Sequence, residues 1–259
     1  MLFFDLHMIA AVVGISIVGG LLGLDRTAVG QFMVSQPLVA GPLTGWLLGD
    51  ATSGLIIGVV LELIWLLDMP IGNFVPADAT IVTVSACAVT VLGKPGGVTL
   101  SVIGFSLLLT TAMVPLTMQA DAFVRKRNSK LVEKVLSSGV DNIAQAVTRA
   151  HLSGILAFFL KSFVLCLIII PAGIIAVQLF EHLPATVHRA LALFVKLLPL
   201  LGAALIARKL SIKAFDLFLL IGFVIAAVCG LIFHVPVLIV LLLTIIAGWL
   251  GARYSEQRS

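Results

Sequence analysis

The chain has 259 residues, 61% of them hydrophobic and only 11% charged, with a mean hydropathy of +1.22. A soluble domain carries about 25% charged residues, so this composition excludes a water-soluble globular protein and predicts an integral membrane protein. The net charge of +4 is no nucleic-acid signature, because the basic residues gather at the ends of apolar runs, as the positive-inside rule expects.

The apolar runs do not alternate as the ~10-residue strands of a membrane barrel do. Helices satisfy their own backbone groups in lipid, so the predicted class is an all-α, polytopic transmembrane protein. At the N-terminus, MLFFDLHMIAAVVG lacks a basic region and a clear small-residue cleavage site. It is therefore expected to stay in the mature protein.

From Met1 to about Gln119 the apolar runs are short and broken by glycine, proline and isolated acids. VAGPLTGWLLGD, Val39 to Asp50, is too short to span once Pro42 is counted, and GLIIGVVLELIWLLD, Gly54 to Asp68, is also short for a crossing of ~30 Å. Short, interrupted hydrophobic segments of this kind signal re-entrant or discontinuous helices in transporters. Such backbone persists at membrane depth only where protein or a water-filled cavity surrounds it. Gly41, Gly45 and Gly49 recur every fourth residue, and Gly54 and Gly58 repeat the spacing. Small residues so placed predict closely packed helices rather than ligand contacts.

The segment Leu61 to Thr80, LELIWLLDMPIGNFVPADAT, then places Glu62, Asp68 and Asp78 in apolar surroundings. An ionised carboxylate at a helix centre costs ~2.5–3.5 kcal/mol on the insertion scale, so each acid needs an explanation. Interfacial water explains Asp50 and Asp68, which end apolar runs. Pairing with a base is a second answer, with Arg26, Lys161 and Lys196 as candidates. A polar cavity that binds a substrate is the third.

Glu62 fits that third answer best, because apolar residues and glycine flank it on both sides. Asp78 follows PIGNFVPAD, where Pro76 removes a donor and precludes a continuous helix. Asn73 adds an amide that donates and accepts. Glu62, Asp78 and Asn73 are thus the candidate substrate-binding residues, since carboxylates and amides suit sugar hydroxyls. The competing structural reading is a hydrogen-bond network that holds broken helices together.

Asp121 to His151 is soluble in texture, with Val124, Leu131, Val135, Ile143 and Val147 near helical spacing. It is expected to form one or two amphipathic helices at a membrane surface. Arg125, Lys126, Arg127, Lys130, Lys134 and Arg149 place it in the cytoplasm. Four conventional spans of ~20 residues or more are expected to follow, at 152–180, 187–207, 214–233 and 235–252. The predicted organisation is a transport core with broken helices (1–120), a cytoplasmic amphipathic segment (121–151) and a four-helix membrane region (152–259). Cys87, Cys166 and Cys229 lie within apolar runs without metal spacing and read as small buried hydrophobes. No metal, cofactor or nucleic acid is expected.

Gln36 to Thr80 resembles the membrane subunit IIC of the mannose/fructose/sorbose family of sugar phosphotransferase systems. The resemblance rests on Gln36-Pro37-Leu38, Leu48-Gly49-Asp50, Gly54 through Glu62, Met69-Pro70-Ile71-Gly72 and Pro76-Ala77-Asp78. It continues more weakly through the basic middle and LFLLIGFVIAAV, and length and layout agree over the whole chain. The family's asparagine in Met-Asn-Ile-Gly is Pro70 here, and its Ala-Pro-Asp is Pro-Ala-Asp.

The resemblance implies a sugar permease of a bacterial cytoplasmic (inner) membrane that works with a sister membrane subunit, IID, in a trimer of heterodimers. Sugar would be phosphorylated from phosphoenolpyruvate through cytoplasmic IIA and IIB phosphocarrier proteins. By position, Glu62 matches the family's helix acid and Asp78 its Ala-Pro-Asp acid. The five histidines are scattered, so no phosphorylation site is expected on this chain. An ion-coupled secondary transporter, with Glu62 and Asp78 as proton or cation sites, and a non-transporting regulatory membrane subunit are the alternatives.

Overall fold

The computed structural model describes residues 5–66, 75–136, 143–210, 222 and 224. The chain divides into two compact units, residues 1–206 and 207–259, and the packing below is that of the first. Every regular element among the described residues is an α-helix. They are α1 (Leu6–Asp25), α2 (Pro37–Leu47), α3 (Ala51–Trp65), α4 (Ala79–Gly93), α5 (Leu100–Ala112), α6 (Val114–Leu136), α7 (Ile143–Phe180) and α8 (Ala185–Leu210).

Four stretches are long and apolar enough to cross a membrane: Leu6–Asp25, Leu100–Glu133, Ile143–Phe180 and Ala185–Leu205. The helices α2, α3 and α4 have only 11, 15 and 15 residues. At 1.5 Å per residue they reach roughly 16–23 Å, short of a ~30 Å hydrocarbon core. The all-α class with broken helices in the N-terminal half is therefore what the chain forms. Of the C-terminal spans, 152–180 is the main part of α7 and 187–207 lies within α8. Those expected at 214–233 and 235–252 fall outside the described residues, apart from the helical Gly222 and Val224.

Local chemistry sets the short helices' ends. Pro37 occupies the first turn of α2, where its missing N–H is not needed. At the other end, the Asp50 N–H donates to the Gly45 carbonyl (2.8 Å) and the Gly49 N–H to that of Trp46 (3.1 Å). This Schellman closure needs a left-handed residue, which Gly49 supplies at φ +88°. Asp50 then caps α3 through the Ser53 N–H (3.0 Å) and hydroxyl (2.6 Å).

The resulting hairpin packs backbone on backbone. A Cβ on Gly41 would lie 2.5 Å from the Gly54 carbonyl oxygen and 2.8 Å from the Gly58 Cα, and one on Gly45 would lie 2.9 Å from the Gly54 Cα. Gly41, Gly45, Gly54 and Gly58 thus have the packing role expected of them, whereas Gly49 serves the turn and has open space around it.

The hub of the core is α4, which packs against α1, α2, α3, α5 and α7. It is buried without a break from Thr80 to Thr90. A helix buried all round needs no polar face, and two of its hydroxyls bond to backbone: Thr83 to the Ala79 carbonyl (2.7 Å) and Thr80 to the Ser35 carbonyl (2.9 Å). Cys87 and Cys166 are buried in these contacts, while Cys229 lies outside the described residues.

The basic segment 121–151 falls on the C-terminal part of α6 and the first part of α7, and both helices run on past residues 120 and 151 without interruption. The two helices pack together, with the Arg127 guanidinium donating to the Ser153 hydroxyl (3.3 Å).

Candidate functional site

Asp78 lies at the start of α4, where Pro76 has kept the preceding residues out of a helix. Its Oδ1 accepts the Ile81 N–H at 3.3 Å, so the acid caps the helix and faces the positive end of the dipole. Its Oδ2 accepts from the Lys161 ammonium of α7 at 2.7 Å. Lys161 also donates to Oδ1 of Asp121 on α6 at 2.9 Å, and Asp121 Oδ2 takes the Arg125 Nε at 2.6 Å. Arg26, just past α1, donates to the Ala77 carbonyl at 2.6 Å and stands 3.7 Å from Asp78 Oδ1.

Three basic and two acidic side chains from four elements therefore form one chain of ion pairs. The side chains of Lys161, Asp78 and Asp121 are only 5%, 6% and 9% exposed. Buried charges persist only when paired and hydrogen-bonded, and here each member has its partner. A polar cavity of about 30 Å³ lies between Arg26, Pro76, Asp78, Asp121, Arg125 and Lys161, room for about one water molecule.

Glu62 has a different setting. It lies one turn from the end of α3 and is half-buried. Its Oε2 accepts the Leu38 N–H at the start of α2 (3.1 Å). The preceding Gln36 makes no side-chain cap, so Glu62 supplies the missing acceptor from across the hairpin. Its other oxygen, Oε1, has no protein hydrogen bond among the described residues.

The two acids do not touch, and no hydrogen bond or ion pair joins them among the described residues. The segment 35–38 lies between them: Leu38 holds Glu62, and the Ser35 carbonyl holds Thr80, two residues past Asp78. That segment is fixed in turn by Asp25, whose carboxylate accepts the Phe32 N–H (2.6 Å) and the Ser35 N–H (3.1 Å). Asn73 and Asp68 lie outside the described residues.

Of the three bases considered as partners, Lys161 and Arg26 meet Asp78, and Lys196 makes no ion pair among the described residues. Sequence reasoning passed over Asp121 and Asp25. Asp121 carried one signal, the helical i,i+4 spacing to Arg125. Asp25 carried none, because its partners are backbone amides of a loop. Among the described residues no group of three or more His, Cys, Asp and Glu is placed to hold a metal.

Comparison with known proteins agrees with this architecture. Residues 8–250 match the family EII-Sor, the PTS system sorbose-specific IIC component. The chain is 26% identical over 223 residues to a fructose permease IIC component of Bacillus subtilis (strain 168), covering 86% of this chain and 77% of that protein. It is 34% identical over 94 residues to the putative N-acetylgalactosamine permease IIC component 2 of Escherichia coli (strain K12), covering 36% of this chain and 63% of that protein.

Two solved structures share the fold. One, described only as the structure of a membrane protein, has a TM-score of 0.71 at 21% identity and covers 98% of this chain and 97% of that one. The other comes from a cryo-EM structure of the mannose transporter ManYZ with microcin E492. It has a TM-score of 0.55 at 20% identity, with the same 98% and 97% coverage. A multi-pass helical protein with broken helices in its first half, matched along nearly its whole length, belongs to the EII-Sor family and is a membrane IIC component of a sugar phosphotransferase system.

Proposed function

We propose that this chain carries a hexose-type sugar across a bacterial cytoplasmic (inner) membrane together with a sister IID subunit, in a trimer of heterodimers. Cytoplasmic IIA and IIB proteins phosphorylate the sugar as it arrives, using phosphoenolpyruvate as the source. Family membership supports this reading over the ion-coupled and non-transporting alternatives. The observation that carries the site assignment is Oε1 of Glu62 in the α2–α3 hairpin, which no protein donor meets among the described residues. A half-buried carboxylate oxygen without a protein donor is an acceptor for a sugar hydroxyl.

Asp78 offers a second acceptor at the broken start of α4, and Asn73 belongs to the segment that joins the two acids in sequence. A cleft of about 670 Å³ opens beside His7, Asp50 and Lys94, at the far end of α4 from Asp78. In this reading the sugar hydroxyls replace water around the two carboxylates. A rigid-body shift of the broken helices then exposes the site inward, and phosphorylation prevents return.

The test is phosphoenolpyruvate-dependent phosphorylation of labelled fructose, mannose, sorbose and N-acetylgalactosamine. Membranes would contain this chain with and without its IID neighbour, supplied with the soluble phosphotransferase proteins. A sugar phosphate that requires both membrane chains is expected. No product from any sugar, with both chains inserted and IIB phosphorylated, would overturn the proposal.

A further inference from the structure

Lys161 is the only charged residue between Leu152 and Phe180. Its ammonium is almost wholly buried and is shared between two carboxylates from different elements, Asp78 at 2.7 Å and Asp121 at 2.9 Å. Arg26 already stands 3.7 Å from Asp78, so the second acid balances the buried charge of Lys161. It also adds geometry. Asp121 is itself fixed by Arg125 at 2.6 Å, so it holds the ammonium between two anchored points. The ammonium in turn fixes one oxygen of Asp78.

The two oxygens of Asp78 are consequently unequal. Oδ2 is held by a short, charge-assisted bond. Among the described residues Oδ1 has only the longer 3.3 Å bond from the Ile81 N–H and the arginine at 3.7 Å, and it sits at the non-helical entrance to α4. An oxygen held that loosely exchanges its partner for a hydroxyl more readily than one held by an ammonium.

We infer that Lys161 is a positioning residue of the sugar site, locking Asp78 through Oδ2 so that Oδ1 is presented to a sugar hydroxyl. Asp121 and Arg125 brace the lysine from α6. This rests on the reading of Asp78 as a sugar ligand. It adds that the affinity of that ligand depends on a side chain that does not itself meet the sugar.

The test uses the full chain with its sister subunit in membranes, and reads KM and kcat separately for phosphorylation of whichever labelled sugar of the panel turns over. The informative variant is the pair Lys161→Met with Asp121→Asn, which removes one charge of each sign and leaves no unmatched buried ion. It is expected to accumulate in the membrane, with KM raised about tenfold or more and kcat within about twofold of wild type. Asp121→Asn alone keeps the Lys161–Asp78 bond and is expected to raise KM several-fold less than the pair.

Equal KM values for the pair and for Asp121→Asn would overturn the inference, as would failure of every Lys161 variant to accumulate, which would assign the lysine to folding. Asp78→Asn separates the two layers. An unchanged KM there would remove Asp78 from the site altogether. A raised KM there with none in the pair would sink only the role given to Lys161.

Discussion

The hairpin α2–α3 and the ionic cluster around Lys161 both hold broken helices in place, by opposite means. In the hairpin, cohesion comes from the removal of side chains: Gly41, Gly45, Gly54 and Gly58 bring two backbones together. Of its two acids, Asp50 caps α3 at the tip, and Glu62 is compensated by a backbone N–H and a helix N-terminus. In the cluster, cohesion comes from charged side chains: Arg26, just past α1, and Lys161 on α7 reach Asp78 at the start of α4, and Asp121 on α6 holds Lys161. Dispersion at close range cements the first region and paired charge the second. The first should therefore be sensitive to volume and the second to charge balance.

The largest expected effect is on the cluster. Lys161→Met alone leaves Asp78 and Asp121 buried beside one another's lost partner, and breaking a buried pair by removing one member destabilises by about 3–5 kcal/mol. Thermal unfolding in detergent should show a large drop, much of it recovered when Asp121→Asn is added. A drop of equal size in the double variant would mean that the lysine matters for its volume and not its charge.

The hairpin should respond to added volume. Gly41→Val puts carbon 2.5 Å from the Gly54 carbonyl oxygen, and backbone cannot yield as a flexible side chain can. A loss of about 3 kcal/mol is expected, read by the same unfolding measurement or by reduced membrane accumulation. If Gly41→Val is as stable as wild type, the two helices are not in backbone contact.

Glu62→Gln sharpens the comparison, because it keeps an acceptor for the Leu38 N–H while removing the charge. Sugar uptake should fall about tenfold, equivalent to about 1.4 kcal/mol, with insertion intact. Unchanged uptake would confine Glu62 to capping. Smallest is Asp50→Ala, which loses two bonds from Ser53 at the hairpin tip. A loss of about 1 kcal/mol in stability is expected, and sugar phosphorylation at saturating substrate should persist.

Much of the hairpin was legible before any coordinates. The four-residue glycine spacing is a local signal that acts within a few residues of itself in the chain, while Pro37 and the Leu-Gly-Asp turn entered through the family resemblance. The short lengths of α2 and α3 followed from the punctuation by Pro42, glycine and the flanking acids, whereas that of α4 was not foreseen. The cluster was only half legible. Lys161 and Arg26 stood out as charges in or beside apolar runs, but three residues were possible partners for the acids. Asp121 was read as part of a solvated basic segment, because its neighbours are Arg125, Lys126 and Arg127 and nothing local distinguishes a buried acid from an exposed one.

By itself the sequence determined that this is a helical membrane protein with a broken first half, and which acids require explanation. Composition, hydropathy and the glycine and proline positions act through lipid and through near neighbours, so they need no knowledge of the far chain. Only the tertiary structure decided which acid meets which base. Asp78 and Lys161 are 83 residues apart, and Lys161 and Asp121 are 40 apart. Pairing at such separations depends on which helices pack together, and charge acts through space while sequence records only order along the chain.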